Sequence, residues 1–145
     1  MTDEEHRAHV AIKATLAACT QAGDARKADA YAACFAEAGV LDLGEAIEGR
    51  AAIRQWMAAP SVFPQPGSGR PGFVSHHLTT CRIELLDEAA AKVRTYWLVI
   101  TAAGLDHSGY YDDRFVREDG RWLIAHRRPR TLWFGPDSVV AGQQH

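Results

Sequence analysis

Hydrophobic positions fall into two successive regimes along the chain. Up to about residue 58 they recur at helical spacing, and from residue 73 to residue 134 they crowd into runs of Val, Ile, Tyr, Trp and Thr. Ala8, Ile12, Leu16 and Cys19 mark one face of a first helix, and Thr2 with Glu5 makes a capping-box pattern at its start. Gly23 predicts its end. Ala28, Tyr31, Ala32 and Phe35 predict a short second helix that stops near Gly39, followed by a short strand at 40–43 and a turn between Gly44 and Gly49. Residues 51–58 predict a third helix, with Ile53, Trp56 and Met57 as its apolar stripe. Pro60, Pro64, Pro66 and Pro71, together with Gly67, Gly69 and Gly72, exclude regular structure across 59–72.

Beyond that break the pattern predicts four strands, at 73–86, 92–103, 109–117 and 121–134. Asp119-Gly120 joins the last two as a tight hairpin, because such a turn needs positive φ and glycine supplies it. Residues 87–91 and 104–107 form the other two connections. Helices first and an antiparallel meander afterwards imply an α+β domain rather than alternating α/β units. In the strand around Val93–Ile100 both alternate sets, Val93/Thr95/Trp97/Val99 and Arg94/Tyr96/Leu98/Ile100, are mostly apolar. Helices would cover one face, and a second copy of the chain is the economical cover for the other, giving a homo-oligomer, dimer or trimer, through the outer sheet face.

The totals change this picture little. A chain of 145 residues suits a single domain spanning 1–145, and it can bury roughly 70% of its unfolded surface. A formal net charge of −2 gives no general attraction to nucleic acid or to an anionic membrane. The acidic start Asp3-Glu4-Glu5 lacks the basic and apolar regions of a secretory leader, and three well-separated cysteines suit reduced thiols, so a cytoplasmic location is expected. Gly67 to Gly72 spells G-x-G-x-x-G, but no strand precedes it, no helix opens after it, and Pro71 lies inside it. His126-Arg127-Arg128-Pro129-Arg130 alternates between two strand faces and so is not one cationic patch, and the adjacent His76 and His77 point to opposite faces and cannot share one ion. No cofactor, metal or nucleic-acid site is expected.

Three polar residues stand where apolar ones would be expected: Asp24 at the junction of the first two helices, His76 at the start of the first long strand, and Arg127 on the last. Taken singly, an Asp after Gly23 suits a helix N-cap, a strand His a satisfied structural group, and a strand Arg a solvated one. The whole series runs Gly23-Asp24, Phe35, Val74-Ser75-His76-His77-Leu78-Thr79-Thr80, then Phe115-Val116-Arg117-Glu118-Asp119-Gly120-Arg121-Trp122-Leu123-Ile124-Ala125-His126-Arg127. It resembles the SnoaL-like polyketide cyclase and dehydratase family, within the superfamily of ketosteroid isomerase and nuclear transport factor two. The resemblance runs from about residue 5 to about residue 134. It implies a cone: a curved antiparallel sheet wrapped around three helices with an apolar cavity between.

For site residues, the resemblance implies an Asp–His pair of Asp24 and His76, with Arg127 as electrostatic support, in a cofactor-independent lyase or isomerase acting on a hydrophobic cyclic compound. Where dehydrochlorinase members carry a Lys five residues before the Asp, this chain has Cys19. Where dehydratase members carry a second His on the following strand, Tyr96 to Thr101 holds none, leaving Tyr96, Tyr110, Tyr111 and His107 as candidates to activate a leaving group. The irregular stretch at 59–72 and the tail from Gly135 are expected to lid the cavity. The rival reading is a non-catalytic binding or assembly module, like the small subunit of ring-hydroxylating dioxygenases. It predicts a filled core and a large exposed apolar sheet face.

Overall fold

The computed structural model describes residues 1–61 and 72–140. Its first helix, α1 (Asp3–Asp24), starts on the reciprocal cap read from the sequence. Glu5 N–H donates to Thr2 Oγ1 (3.1 Å) and Thr2 N–H to Glu5 Oε2 (2.6 Å). The buried face is Ala8, Ile12, Leu16, Cys19 and Ala22. A short α2 (Ala28–Ala32) follows, and the chain then turns into β1 (Phe35–Asp42), β2 (Ala46–Glu48) and α3 (Arg50–Ala58). Four long strands complete it: β3 (Val74–Leu85), β4 (Ala90–Thr101), β5 (Gly104–Glu118) and β6 (Arg121–Phe134). Of the irregular stretch, the Gly67–Gly72 motif included, residues 62–71 lie outside the described ones.

Three expectations need correction. Phe35 shares the helical spacing of Ala28, Tyr31 and Ala32 but belongs to the sheet, and Gly39 lies within β1 instead of ending a helix. Tertiary pairing outweighs local periodicity there: Ile124 N–H donates to Cys34 O (2.9 Å), and fully buried Phe35 sits opposite Ile124. That pairing is parallel, so the six-stranded sheet, ordered β2-β1-β6-β5-β4-β3, is mixed rather than wholly antiparallel. The reading of residues 104–107 as a hairpin connection also fails, because β5 already runs from Gly104.

The sheet curves without closing, and its inner face is a lattice of rows set by strand register. One row runs His76–Val99–His107, the next Leu78–Trp97–Gly109–Thr131, the next Thr95–Tyr111–Pro129, and a fourth Ile83–Val93–Asp113–Arg127. The outward set of β4 is wetter than the sequence suggested, with Lys92, Arg94 and Tyr96 exposed. Arg94 there pairs with Asp112 (2.8 Å) and lies over the Tyr110 ring (4.4 Å). The β5–β6 turn is the expected one, with Asp119 at φ 51° and Gly120 at φ 76°.

Gly109 is fixed by what lies over it. A Cβ there would stand 1.9 Å from the Arg130 carbonyl oxygen and 2.7 Å from Trp97 Cζ2. Backbone cannot yield as a side chain can, so Gly109→Ala should cost about 3 kcal/mol through overpacking. A urea-unfolding midpoint unchanged from the parent would show that the strands part there without penalty.

Candidate active site

The helices cap the concave face of the sheet and leave a cavity of about 130 Å³. Leu41, Leu43, Trp56, Met57, Val74 and Trp97 give it apolar walls, and Asp24, His76, His107, Tyr31, Tyr111 and Arg127 supply its polar groups. The two parts of the sequence-predicted pair arrive from opposite layers. Asp24 is the last residue of α1, and His76 lies near the start of β3, 52 positions later. His76 Nδ1 and Asp24 Oδ1 are 2.6 Å apart, and Asp24 Oδ2 accepts the His76 backbone N–H at 2.9 Å. Asp24 is therefore not an N-cap: Lys27 holds that position before α2 and makes no side-chain cap bond. With its carboxylate gripping both the ring and the backbone of His76, Nδ1 carries the proton and Nε2 is the ring's basic nitrogen.

Arg127 is 2% exposed, so it is not a solvated strand arginine. Its Nε and Nη2 donate to the two oxygens of Asp113 at 2.9 and 2.8 Å, and Nη1 reaches Cys19 Sγ at 3.5 Å. Burial opposes the charge, but the Asp113 carboxylate more than offsets it and holds the guanidinium pKa well above its usual range. Arg127 also lies 3.9 Å from the Tyr111 ring centroid. Its cation is thus already matched by an anion, and it sets the position of Tyr111 as much as the potential of the cavity. Burial pushes the hydroxyls of Tyr31 and Tyr111 upward, which keeps both protonated as donors.

A second Asp–His pair was not legible as a pair. Strand alternation would place Asp106 and His107 on opposite faces, but the register between β4 and β5 slips there. Ile100 pairs with Leu105 and Val99 with His107, leaving Asp106 as the extra residue of a bulge. Both side chains are buried, and His107 Nδ1 stands 2.7 Å from Asp106 Oδ1. Asp106 also accepts from the tail, through the Ser138 hydroxyl (2.6 Å) and the Val139 N–H (3.0 Å), alongside the Thr101 hydroxyl (2.8 Å). The described part of the tail is therefore a strap on Asp106, and none of its residues lines the cavity.

Burial pushes the His107 pKa down against the pull of Asp106, and His76 adds to the lowering. His107 is thus neutral at pH 7, with its proton on Nδ1. Of the other leaving-group candidates, Tyr111 lines the cavity, whereas Tyr96 and Tyr110 belong to the outward set. Tyr31, from α2, lines it too.

A model of the SnoaL-like domain matches residues 4–128. The chain belongs to the SnoaL-like domain family. A solved variant of Rv3472 from Mycobacterium tuberculosis, a protein of unknown function, is 32% identical, with 97% of this chain and 80% of that one covered and a TM-score of 0.75. A protein provisionally assigned as a scytalone dehydratase, from Novosphingobium aromaticivorans, is 24% identical over 93% of this chain and 91% of its own, with a TM-score of 0.78. ActVI-ORFA from Streptomyces coelicolor is 21% identical over 85% and 96%, with a TM-score of 0.70. These last two likenesses establish the fold. No curated protein matches in sequence. Among the described residues no helix is long and apolar enough to cross a membrane.

Asp106 gives this SnoaL-like domain an acid-sensitive joint. Burial would raise its pKa, but the bonds from Ser138, Val139, His107 and Thr101 outweigh that and lower it from 3.8 to about 2. A carboxyl group lowered on folding stabilises the fold above its ordinary pKa, and that contribution disappears as pH falls towards the folded value. On the order of 2 kcal/mol should therefore be lost between pH 4 and pH 2. In Asp106→Asn the loss should already be present at pH 7, with a correspondingly flatter acid limb in urea unfolding. Parallel acid limbs for parent and variant would contradict this assignment.

Proposed function

We propose that the chain is a small cofactor-independent lyase or isomerase whose base is His76, acting on a hydrophobic cyclic molecule held in the cavity. The observation that carries the reading is the Asp24–His76 pair, closed at 2.6 Å and lining an apolar hollow. His76 Nε2 takes a proton from a guest carbon, and Asp24 fixes the tautomer and stabilises the imidazolium that forms. The electron pair of the broken C–H bond becomes a new C=C bond. In an elimination that pair expels the leaving group, which departs with the proton from His76; in an isomerisation an existing double bond shifts, and its pair takes the proton from His76 at a different carbon. Arg127 holds Tyr111 in place, and Tyr31 and Tyr111 are hydroxyl donors on the cavity wall. Family membership and the dehydratase-named neighbour support this class.

The rival binding module asks for a filled interior and an apolar outer face. Instead the concave face keeps a cavity of about 130 Å³, and the outer face carries Arg82, Lys92, Arg94 and Arg114. A second copy on that face remains part of the proposal; it would meet charge as well as tyrosine, so sedimentation should show a salt-dependent oligomer. The direct test of function is a metabolite screen by thermal shift, with the hits then incubated in D2O. A hit that loses water or halide, or gains deuterium at one carbon, supports the reading. Cyclic hits that bind and stay unchanged in both respects would favour the binding module.

A further inference from the structure

Three buried polar atoms of residues lining the cavity have no partner among the described residues: Arg26 Nε, Trp97 Nε1 and Thr131 Oγ1. Buried donors without acceptors are uncommon, and each costs free energy unless something fills it. The last two are not scattered. They sit in one register row, Trp97–Gly109–Thr131, across β4, β5 and β6. Glycine in the middle lets the indole lie down over the row, since a Cβ on Gly109 would meet Trp97 Cζ2 at 2.7 Å. Cζ2 adjoins the ring carbon that bears Nε1, so the N–H edge of the indole overhangs Gly109, the residue paired with Thr131. Trp97 is 5% exposed, and the indole is tied to both histidines, with ring centroids 6.3 Å from His76 and 5.4 Å from His107.

We infer that Trp97 Nε1–H and Thr131 Oγ–H form a two-donor seat for one oxygen atom of the guest. The substrate class is then a cyclic compound with a carbonyl next to the carbon that loses its proton. The inference rests on the proposed role of His76 for that last clause, but the seat itself does not depend on it. The indole N–H can donate and never accept, so the atom it faces must carry a lone pair. Two donors on one oxygen suit a carbonyl, which has two lone pairs and no hydrogen of its own to place. The same geometry serves the reaction. As His76 Nε2 takes the α-proton, the C–H electron pair forms the C=C bond and the carbonyl π pair moves onto oxygen. Fixed, preorganised donors stabilise that enolate more than the ketone.

The test uses the full chain, labelled with nitrogen-15, and two probes that differ by one oxygen, 1-tetralone and tetralin. The indole resonance of Trp97 is identified by its loss in Trp97→Phe. The ketone should bind about tenfold more tightly than the hydrocarbon and should shift the Trp97 indole N–H, which tetralin leaves in place. Thr131→Val should weaken ketone binding several-fold with tetralin unaffected, and Thr131→Ser should restore it. Equal affinities with an unmoved indole signal, or no ketone binding at all, overturns the seat. Deuterium exchange at the α-carbon of 1-tetralone in D2O separates the two ideas. Ketone selectivity without exchange upholds the seat and counts against His76 as base; His76-dependent exchange without selectivity does the reverse.

Discussion

Asp113→Ala should destabilise the fold by about 3–5 kcal/mol, a large fraction of the roughly 5–15 kcal/mol available to a domain of this size. Asp113 and Arg127 are both within a few per cent of complete burial and are joined through two parallel hydrogen bonds. Removing one partner leaves the other charge buried and unpaired. The cost comes from that stranded charge and not from the net value of the pair, which distinguishes it from an ordinary lost contact. Asp113→Leu combined with Arg127→Met removes both charges, and should recover most of the loss or exceed the parent. Urea unfolding of the parent, the single variant and the double variant reads this out. A single variant within 1 kcal/mol of the parent would mean that water reaches Arg127 and screens it. Because Arg127 also contacts Cys19 and the Tyr111 ring, the single variant should move both, so structural damage and loss of activity should appear together.

His76→Ala should behave in the opposite way, lowering turnover by about 10²–10⁴-fold while the melting temperature moves by about 5 °C or less. The His76 side chain is 25% exposed and that of Asp24 19%, so little packing is lost with the ring. Asp24→Asn should be nearly as damaging to turnover. An amide in place of the carboxylate can present N–H to the ring and favour the wrong tautomer, and it cannot stabilise the imidazolium by charge. Melting temperatures that fall steeply while turnover survives would make the pair a strut between α1 and β3, not a base and its orienter. Because stability and turnover are read on the same preparations, the two roles separate cleanly.

How much of this was legible in the sequence depended on the range of the interactions involved. The cap at Thr2 and Glu5 and the turn at Asp119 and Gly120 are local, determined within a few residues, and both stand as read. The α+β class followed from the change of period after residue 58. Phe35 was misplaced because helical spacing and burial in a parallel pairing leave the same mark over eight residues, and the partner, Ile124, is 89 positions away. Asp24, His76 and Arg127 drew notice as polar residues in apolar settings, and the fold gathers all three around one cavity. What the sequence concealed was partnership. Nothing in it ties Arg127 to Asp113, and alternation argues against Asp106 and His107 working together. The bulge at Asp106 reverses that argument, and it shows only against the register of β4.

Catalysis by this chain requires that the Asp24–His76 pair face a guest. A crystal structure of the chain with a hit from the metabolite screen bound tests this most directly. The predicted result is a ligand carbon bearing hydrogen about 3–3.5 Å from His76 Nε2, with the Nδ1 contact to Asp24 retained. A ligand seated away from His76, or side chains of the chain itself filling the hollow, would contradict it.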